Sequence, residues 1–228
     1  MLSDTQKTFV FALLMCLFCS IALTATAVGL KSKQEKNMLV DRQKNILKSL
    51  DLLDLARKYT VNEIESLFAS NVNELYISEN GELVESATSL PLFVVGSKRS
   101  ITKYAVPFKA YGLWSWVYGY IAIDGDGETI VGLTVYDHKE TPGLGGEVEK
   151  DWFQKQFVGK KITDVNGEFV SIGVVKGKLK DANIAESKYS NYVDGISGAT
   201  ITSKGVEKYL KEDLNSYEVF SKQLRSKS

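Results

Sequence analysis

The segment FVFALLMCLFCSIALTATAVGL, Phe9 to Leu30, runs for twenty-two residues without a charge or a proline. Coiled as a helix at ~1.5 Å per residue, it is long enough to cross the ~30 Å hydrocarbon core of a bilayer. A cleaved signal peptide is the competing reading, because Lys7 puts a positive charge ahead of the run and Ala25-Thr26-Ala27 has the A-x-A form of a cleavage site. The run exceeds the ~7 to 15 apolar residues of a signal sequence, so a retained anchor is expected. Residues 1–8 are then a short tail and residues 9–30 a transmembrane helix. Cys16 and Cys19 lie three apart, on one face of that helix. They could offer thiolates to a metal shared with a neighbouring subunit, but soft apolar filler is the commoner use of cysteine there, and no metal site is assigned. Six basic residues (Lys31, Lys33, Lys36, Arg42, Lys44, Lys48) follow the span against Lys7 before it. Counted alone, that bias puts the C-terminal part of the chain on the cytoplasmic side.

The rest of the chain can bury a core, since 44% of the 228 residues are hydrophobic. Twenty-eight basic residues balance twenty-eight acidic ones, so the overall charge gives no argument for a nucleic-acid partner. Within residues 36–58, Leu39, Ile46, Leu47, Leu50, Leu53 and Leu55 recur at helical spacing. Thr60-Val-Asn-Glu63 has the form of a capping box ahead of Ile64, Leu67 and Phe68, which predicts a second short helix. Residues 31–70 are therefore expected to be a helical stalk. From Leu75 the rhythm changes to LYIS, LFVV and ITKYAVPF, separated by Asn80-Gly81, Pro91 and Gly96, which read as short strands. WSWVYGYIAI and ETIVGLTVY flank Asp124-Gly-Asp-Gly127, the strongest hairpin signal in the chain. Residues 169–175 make a further strand candidate, and Val206, Tyr209, Leu210 and Leu214 mark a closing amphipathic helix. The expected fold class is α+β: one transmembrane helix, a helical stalk and an antiparallel-sheet domain over residues 71–228.

Several chemistries are excluded by what the motifs lack. The DGDGE loop has no glutamate at the twelfth residue, so it reads as a turn and not as a calcium site. His138 is the only histidine and stands alone in HKE at a strand end, where a solvated polar role is expected. The stretch DGISGATITSKG, residues 194–205, gathers Ser197, Thr200, Thr202 and Ser203 at the mouth of the closing helix. Gly195-Ile-Ser197-Gly-Ala199 approaches the nucleophile elbow of hydrolases, but no histidine follows it. No lysine stands at the spacing of a phosphate-binding loop. A helix cap needs only one hydroxyl and leaves Gly198-Ala199 without a purpose. A phosphate esterified to one of the hydroxyls remains, at a helix N-terminus that favours anions.

Asp194-Gly-Ile-Ser197-Gly-Ala-Thr200 resembles the flavinylation motif of the FMN-binding domain family, in which FMN is joined through its phosphate to the last hydroxyl residue. Glu140-Thr-Pro-Gly-Leu-Gly-Gly-Glu147, followed by Trp152, is similar to the second signature loop of that family. Gly112-Leu-Trp114-Ser-Trp-Val-Tyr-Gly119 resembles the strand entry of the NqrC members of the family, which serve Na+-translocating NADH:quinone reductases. The resemblance implies an FMN-binding domain over residues 71–228 and a covalent phosphodiester between FMN and Thr200. Around it the family pattern places Ser197, Gly198, Ala199, Thr202, Thr141, Gly143, Leu144, Gly145, Trp114 and Asp194. Leu144 is expected to pack on the flavin ring and Thr141 to offer a hydrogen bond. Ser197 and Thr202 are expected to bond the phosphate or cap the helix, and Asp194 to help a transferase recognise the site.

The same resemblance implies a one-electron relay between NADH and ubiquinone, coupled to Na+ export, with no catalytic residue of its own and no turnover in isolation. Implied partners are the other subunits of a membrane complex and a periplasmic FMN transferase. The implied location is the bacterial inner membrane, single-pass, with the flavin domain facing the periplasm, against the Lys/Arg count. Two alternatives remain at this level: the equivalent subunit of an Rnf-type ferredoxin:NAD+ oxidoreductase, and a non-redox membrane-tethered binding module whose hydroxyls cap the helix.

Overall fold

The structure, a computed structural model, describes residues 3–78, 80–84 and 89–227. Residues 1 and 2 of the expected tail lie outside them, as do 79, 85–88 and 228 of the expected C-terminal domain. The chain divides into two units, one ending at Arg42 and the other running from Gln43. Helix α1, Asp4–Ser49, begins in the first and ends in the second. In the first unit it is apolar and long enough to cross a membrane, with mean hydropathy 2.4 over its best window. Cys16 and Cys19 are exposed free thiols on it.

The helical spacing read from residues 36–58 overruns the observed helix, which stops at Ser49. The stop is a Schellman-type closure: Leu52 N–H donates to Leu47 O at 3.0 Å and Asp51 N–H to Lys48 O at 3.2 Å. Asp51 takes the left-handed position with φ 56°. A glycine there would have advertised the end; an aspartate does not. After an irregular stretch, α2 (Val61–Asn71) opens on the expected capping box, Glu63 N–H donating to Thr60 Oγ1 and Thr60 N–H to Glu63 Oε2.

The main sheet has six antiparallel strands: β1 (Val72–Ile77), β2 (Leu83–Val84), β3 (Leu90–Ser97), β4 (Ser100–Tyr111), β5 (Trp116–Asp124) and β6 (Ile130–Asp137). Their order is β2-β1-β3-β4-β5-β6, so neighbours in sequence mostly pair by hairpins. The expected Asp124–Gly127 turn joins β5 to β6, with Gly127 at φ 73°. Asp126 Oδ1 accepts from Glu128 N–H at 2.8 Å and Thr129 N–H at 2.9 Å, so its carboxylate is spent on the turn.

Helix α3 (Asp151–Gln154) and short 3-10 turns cross to β7 (Gly173–Val174) and β8 (Tyr192–Val193), a small parallel pair. Only two residues of the strand expected over 169–175 enter a ladder. Val170 and Ser171 both donate to the single carbonyl of Ile162, and Ser171 sits at φ 66°, a bulge that breaks the extended run.

Helix α4 (Thr200–Arg225) closes the domain on one face of the sheet. Its Val206, Leu210, Leu214, Tyr217 and Phe220 join Tyr104, Val106, Phe108, Val117, Ile121 and Ile123 in one buried cluster. Alternation along β4 and β5 puts those residues on one side of the pleat. Tyr104 and Ser221 share a hydrogen bond at 2.7 Å across that interface. The last turns of α1 cover the opposite face: Thr134 Oγ1 donates to Asn45 O at 3.3 Å, and Ile46, Leu47 and Leu50 are fully buried. With both faces covered, the free end of the sheet and the start of α4 are where loops gather.

Candidate functional site

Helix α4 approaches the sheet closely at its N-terminal end, because Gly205 lies against the main chain of β4. A Cβ built there would stand 2.0 Å from Tyr111 O. That contact brings the start of α4 beside the β4–β5 connection, residues 112–115, and beside the glycine-rich loop after β6. The first helical residue is Thr200, and the cap position is held by Ala199, which has no side chain to cap with. None of the hydroxyls caps α4, and among the described residues no side chain accepts from the N–H groups of its exposed start.

The four hydroxyls divide by burial. Ser197 and Thr200 are exposed, while Thr202 and Ser203 are buried. Thr202 Oγ1 donates to Glu140 Oε2 at 2.6 Å, and Ser203 Oγ accepts from Ile196 N–H at 3.3 Å. The free pair is therefore Ser197 and Thr200.

Two clefts meet at Thr200 and Gly198. One, of about 280 Å³, is lined by Leu113, Trp114, Glu140, Thr141, Leu144, Gly145 and the turn 198–202. The other, of about 760 Å³, is lined by Gly143, Glu147, Trp152, Lys176, Gly177, Lys178 and the turn 195–198 with Thr200. Of the eleven residues expected from sequence, ten line one cleft or both: Trp114, Thr141, Gly143, Leu144, Gly145, Ser197, Gly198, Ala199, Thr200 and Thr202. Gly198 has φ +73°, and a Cβ there would come within 2.8 Å of Leu144, so a glycine keeps the two loops in register. Trp114 is 65% exposed and Leu144 45%, together with Leu113 and Ile201. Large apolar side chains left open around a cleft mark a surface built to be covered.

Asp194 lines neither cleft. Its carboxylate accepts from Leu179 N–H at 2.7 Å and Lys178 Nζ at 2.9 Å, pinning the 177–179 loop to the β8 exit. Burial pushes its carboxyl up, but those two donors outweigh burial and hold it below the ordinary range.

The residue that sequence reasoning passed over is Glu140, which opens the ETPGLGGE loop. It is 4% exposed and accepts from the N–H groups of Leu113, Trp114 and Ser115 as well as from Thr202. Burial raises its pKa, but those four hydrogen bonds prevail and keep the carboxyl lowered. It stands first in the loop that resembles the family's signature, but nothing local announces that it is buried. Glu147 and Trp152, quoted with the signature loop but not placed at the site, wall the larger cleft with Lys178: Lys178 Nζ lies 5.9 Å from the Trp152 ring centre, and Trp152 Nε1 donates to Glu147 Oε2 at 2.7 Å.

His138 stays outside both clefts and serves the same loop. Its Nδ1 accepts from Glu140 N–H at 3.1 Å, so Nε2 carries the proton and donates to Glu149 Oε2 at 3.2 Å.

The donor set fits a phosphate ester bearing a planar group: an exposed hydroxyl on the first residue of a long uncapped helix, glycines at the approach, and aromatic and aliphatic walls on either side. Residues 112–215 match the FMN-binding domain family, a span that holds every residue lining the two clefts. The chain is 33% identical to the C-type subunit of the Na(+)-translocating NADH-quinone reductase of Yersinia pestis, over 88% of its own length and 85% of that protein. The corresponding protein of Vibrio anguillarum is 34% identical, over 89% and 87%. The crystal structure of the same reductase component from Parabacteroides distasonis superposes with a TM-score of 0.71 at 36% identity, over 84% of this chain and 96% of that one. Shewanella oneidensis NqrC gives 0.67 at 27%, over 85% and 99%. A likeness that runs through full-length relatives and takes in the whole cleft region has one consequence: the chain belongs to the NqrC family of Na(+)-translocating NADH-quinone reductase subunits.

Proposed function

We propose that Thr200 carries FMN as a phosphodiester and that the chain is the membrane-anchored, flavin-bearing electron-transfer subunit of a Na+-translocating NADH:quinone reductase, on the path from NADH to ubiquinone. The observation that carries this reading is the first turn of α4, where an exposed Thr200 joins two clefts beneath helix N–H groups that no side chain among the described residues satisfies. FMN, when bound, supplies one-electron chemistry. The chain supplies attachment and surroundings. Thr200 Oγ1 attacks the phosphorus of an activated flavin donor; the O–P bond forms, the bond from phosphorus to the donor's leaving group breaks, and the hydroxyl proton departs. The ester keeps one negative charge, which an exposed helix N-terminus stabilises by ~0.3 to 1 kcal/mol.

Ser197 is free to bond that phosphate, whereas Thr202 is already engaged by Glu140. Small Gly198 and Ala199 leave room for a transferase to reach Thr200. Trp114 and Leu144, with Thr141, Gly143 and Gly145 between them, provide apolar walls and backbone donors for the ring. The flavin domain faces the periplasm, where the transferase acts; partner subunits fix that orientation against the local Lys/Arg excess, which is a statistical bias.

Co-expression of the full-length chain with an FMN transferase, followed by intact mass, tests the reading. The expected gain is one FMN less one water, lost in Thr200→Ala and kept in Thr200→Ser. Peptide mapping that finds the flavin on Ser197, Thr202 or Ser203 would overturn the assignment.

A further inference from the structure

We propose that Glu140 is the positioning residue of this site: one buried carboxylate ties the 112–115 connection and the first turn of α4 to the glycine-rich loop, and its charge tunes a flavin held there. The proposal rests on Thr200 as the attachment point. The two oxygens share the work evenly. Oε1 accepts from Trp114 N–H at 2.8 Å and Ser115 N–H at 3.2 Å; Oε2 accepts from Leu113 N–H at 3.1 Å and Thr202 Oγ1 at 2.6 Å. All four partners act as donors, and only an ionised carboxylate has acceptor capacity for all of them at once.

The cradle admits nothing larger. A Cβ on Gly112 would lie 2.6 Å from Oε1, and one on Gly145 would lie 2.4 Å from Oε2. A buried carboxylate is costly unless it is fully bonded. Here the bonds come from neutral groups and no ammonium or guanidinium is among them, so the negative charge is stabilised without being cancelled. Glu140 also lines the smaller cleft. Two consequences follow from that position. The backbone of the exposed Trp114 is pinned by one of these bonds, which limits the region its ring can reach. A fixed negative charge in the floor of the cleft opposes the arrival of an electron, which lowers the reduction potential of a flavin there.

Glu140→Gln in the full-length chain tests both. Glutamine keeps the shape but presents one acceptor oxygen, and its NH2 would face donors that now lack a partner. With covalent FMN confirmed by mass, the midpoint potential is expected to shift to more positive values and the visible circular dichroism to change. In the flavin-free chain the Trp114 indole NMR resonance is expected to move. Thr202→Val removes one of the four bonds and leaves the charge, so it should move the indole resonance and the visible dichroism without a positive shift of potential.

A Glu140→Gln chain with wild-type potential, dichroism and indole resonance would overturn the proposal. If that variant does not fold, an unchanged dichroism and resonance in Thr202→Val would do so instead. Absence of FMN from the wild type after co-expression would instead count against the Thr200 reading, with the flavin-free indole resonance still judging Glu140.

Discussion

Thr202→Val measures what the hydroxyl in the first turn of α4 is worth. Thr202 is 1% exposed, and its Oγ1 lies 2.6 Å from the Glu140 carboxylate. A hydrogen bond to a charged group contributes about 1.5 to 3 kcal/mol, and the methyl that replaces the hydroxyl returns roughly 0.8 kcal/mol of burial, so a net loss of about 1 to 2 kcal/mol is expected. The loss should depend on pH in a definite sense. The folded-state pKa of Glu140 is lowered from its ordinary 4.5, so its stabilising contribution is present above 4.5 and disappears as pH falls through the folded value. Removing Thr202 takes away the largest of the lowering influences and moves the folded pKa back toward 4.5. The difference between wild type and variant is therefore complete near neutral pH and shrinks in acid below 4.5. Urea unfolding of the full-length chain in detergent, followed by near-ultraviolet circular dichroism at about pH 7 and about pH 2, below the lowered folded value, reads it directly. A change below about 0.5 kcal/mol at neutral pH, or the same change at both, would refute a charge-assisted bond between Thr202 and Glu140.

Leu144→Ala should leave the covalent FMN in place by mass but alter its absorption spectrum; an unaltered spectrum would reduce the loop to a plain turn. Gly205→Ala should cost about 1 to 3 kcal/mol, because the new Cβ meets the Tyr111 carbonyl and neither backbone can yield cheaply; a thermal melt indistinguishable from wild type would show that α4 can lift from β4. Protease added to spheroplasts of the native host should digest the flavin domain from outside, and protection of that domain would vindicate the Lys/Arg count.

Elements written as local periodicity were legible and are present. The alternating runs before and after Asp124–Gly127 became β5 and β6, because period-two patterning and a glycine at positive φ act over a few residues. The capping box at Thr60 formed for the same reason. Where the end of an element depended on an unusual residue, reading failed: Asp51 and Ser171 both adopt positive φ without being glycine, one ending α1 and the other interrupting the run at 169–175.

Sequence by itself determined the apolar span at Phe9–Leu30, the strand rhythm from Leu75, and the cluster of hydroxyls at the start of α4, since each is set by composition or spacing within a short window. Resemblance of three motifs to a known family, and not composition or spacing, singled out ten residues that the fold brings to the clefts. Tertiary structure alone decided which hydroxyls are free. Ser197 and Thr200 stay exposed while Thr202 is taken by a carboxylate sixty-two residues earlier. That pairing exists only after β4, β5 and β6 have registered and Gly205 has let α4 close against Tyr111, so no local pattern can encode it. The same closure converts Glu140 from one acid among twenty-eight acidic residues into the one that binds three segments of the site.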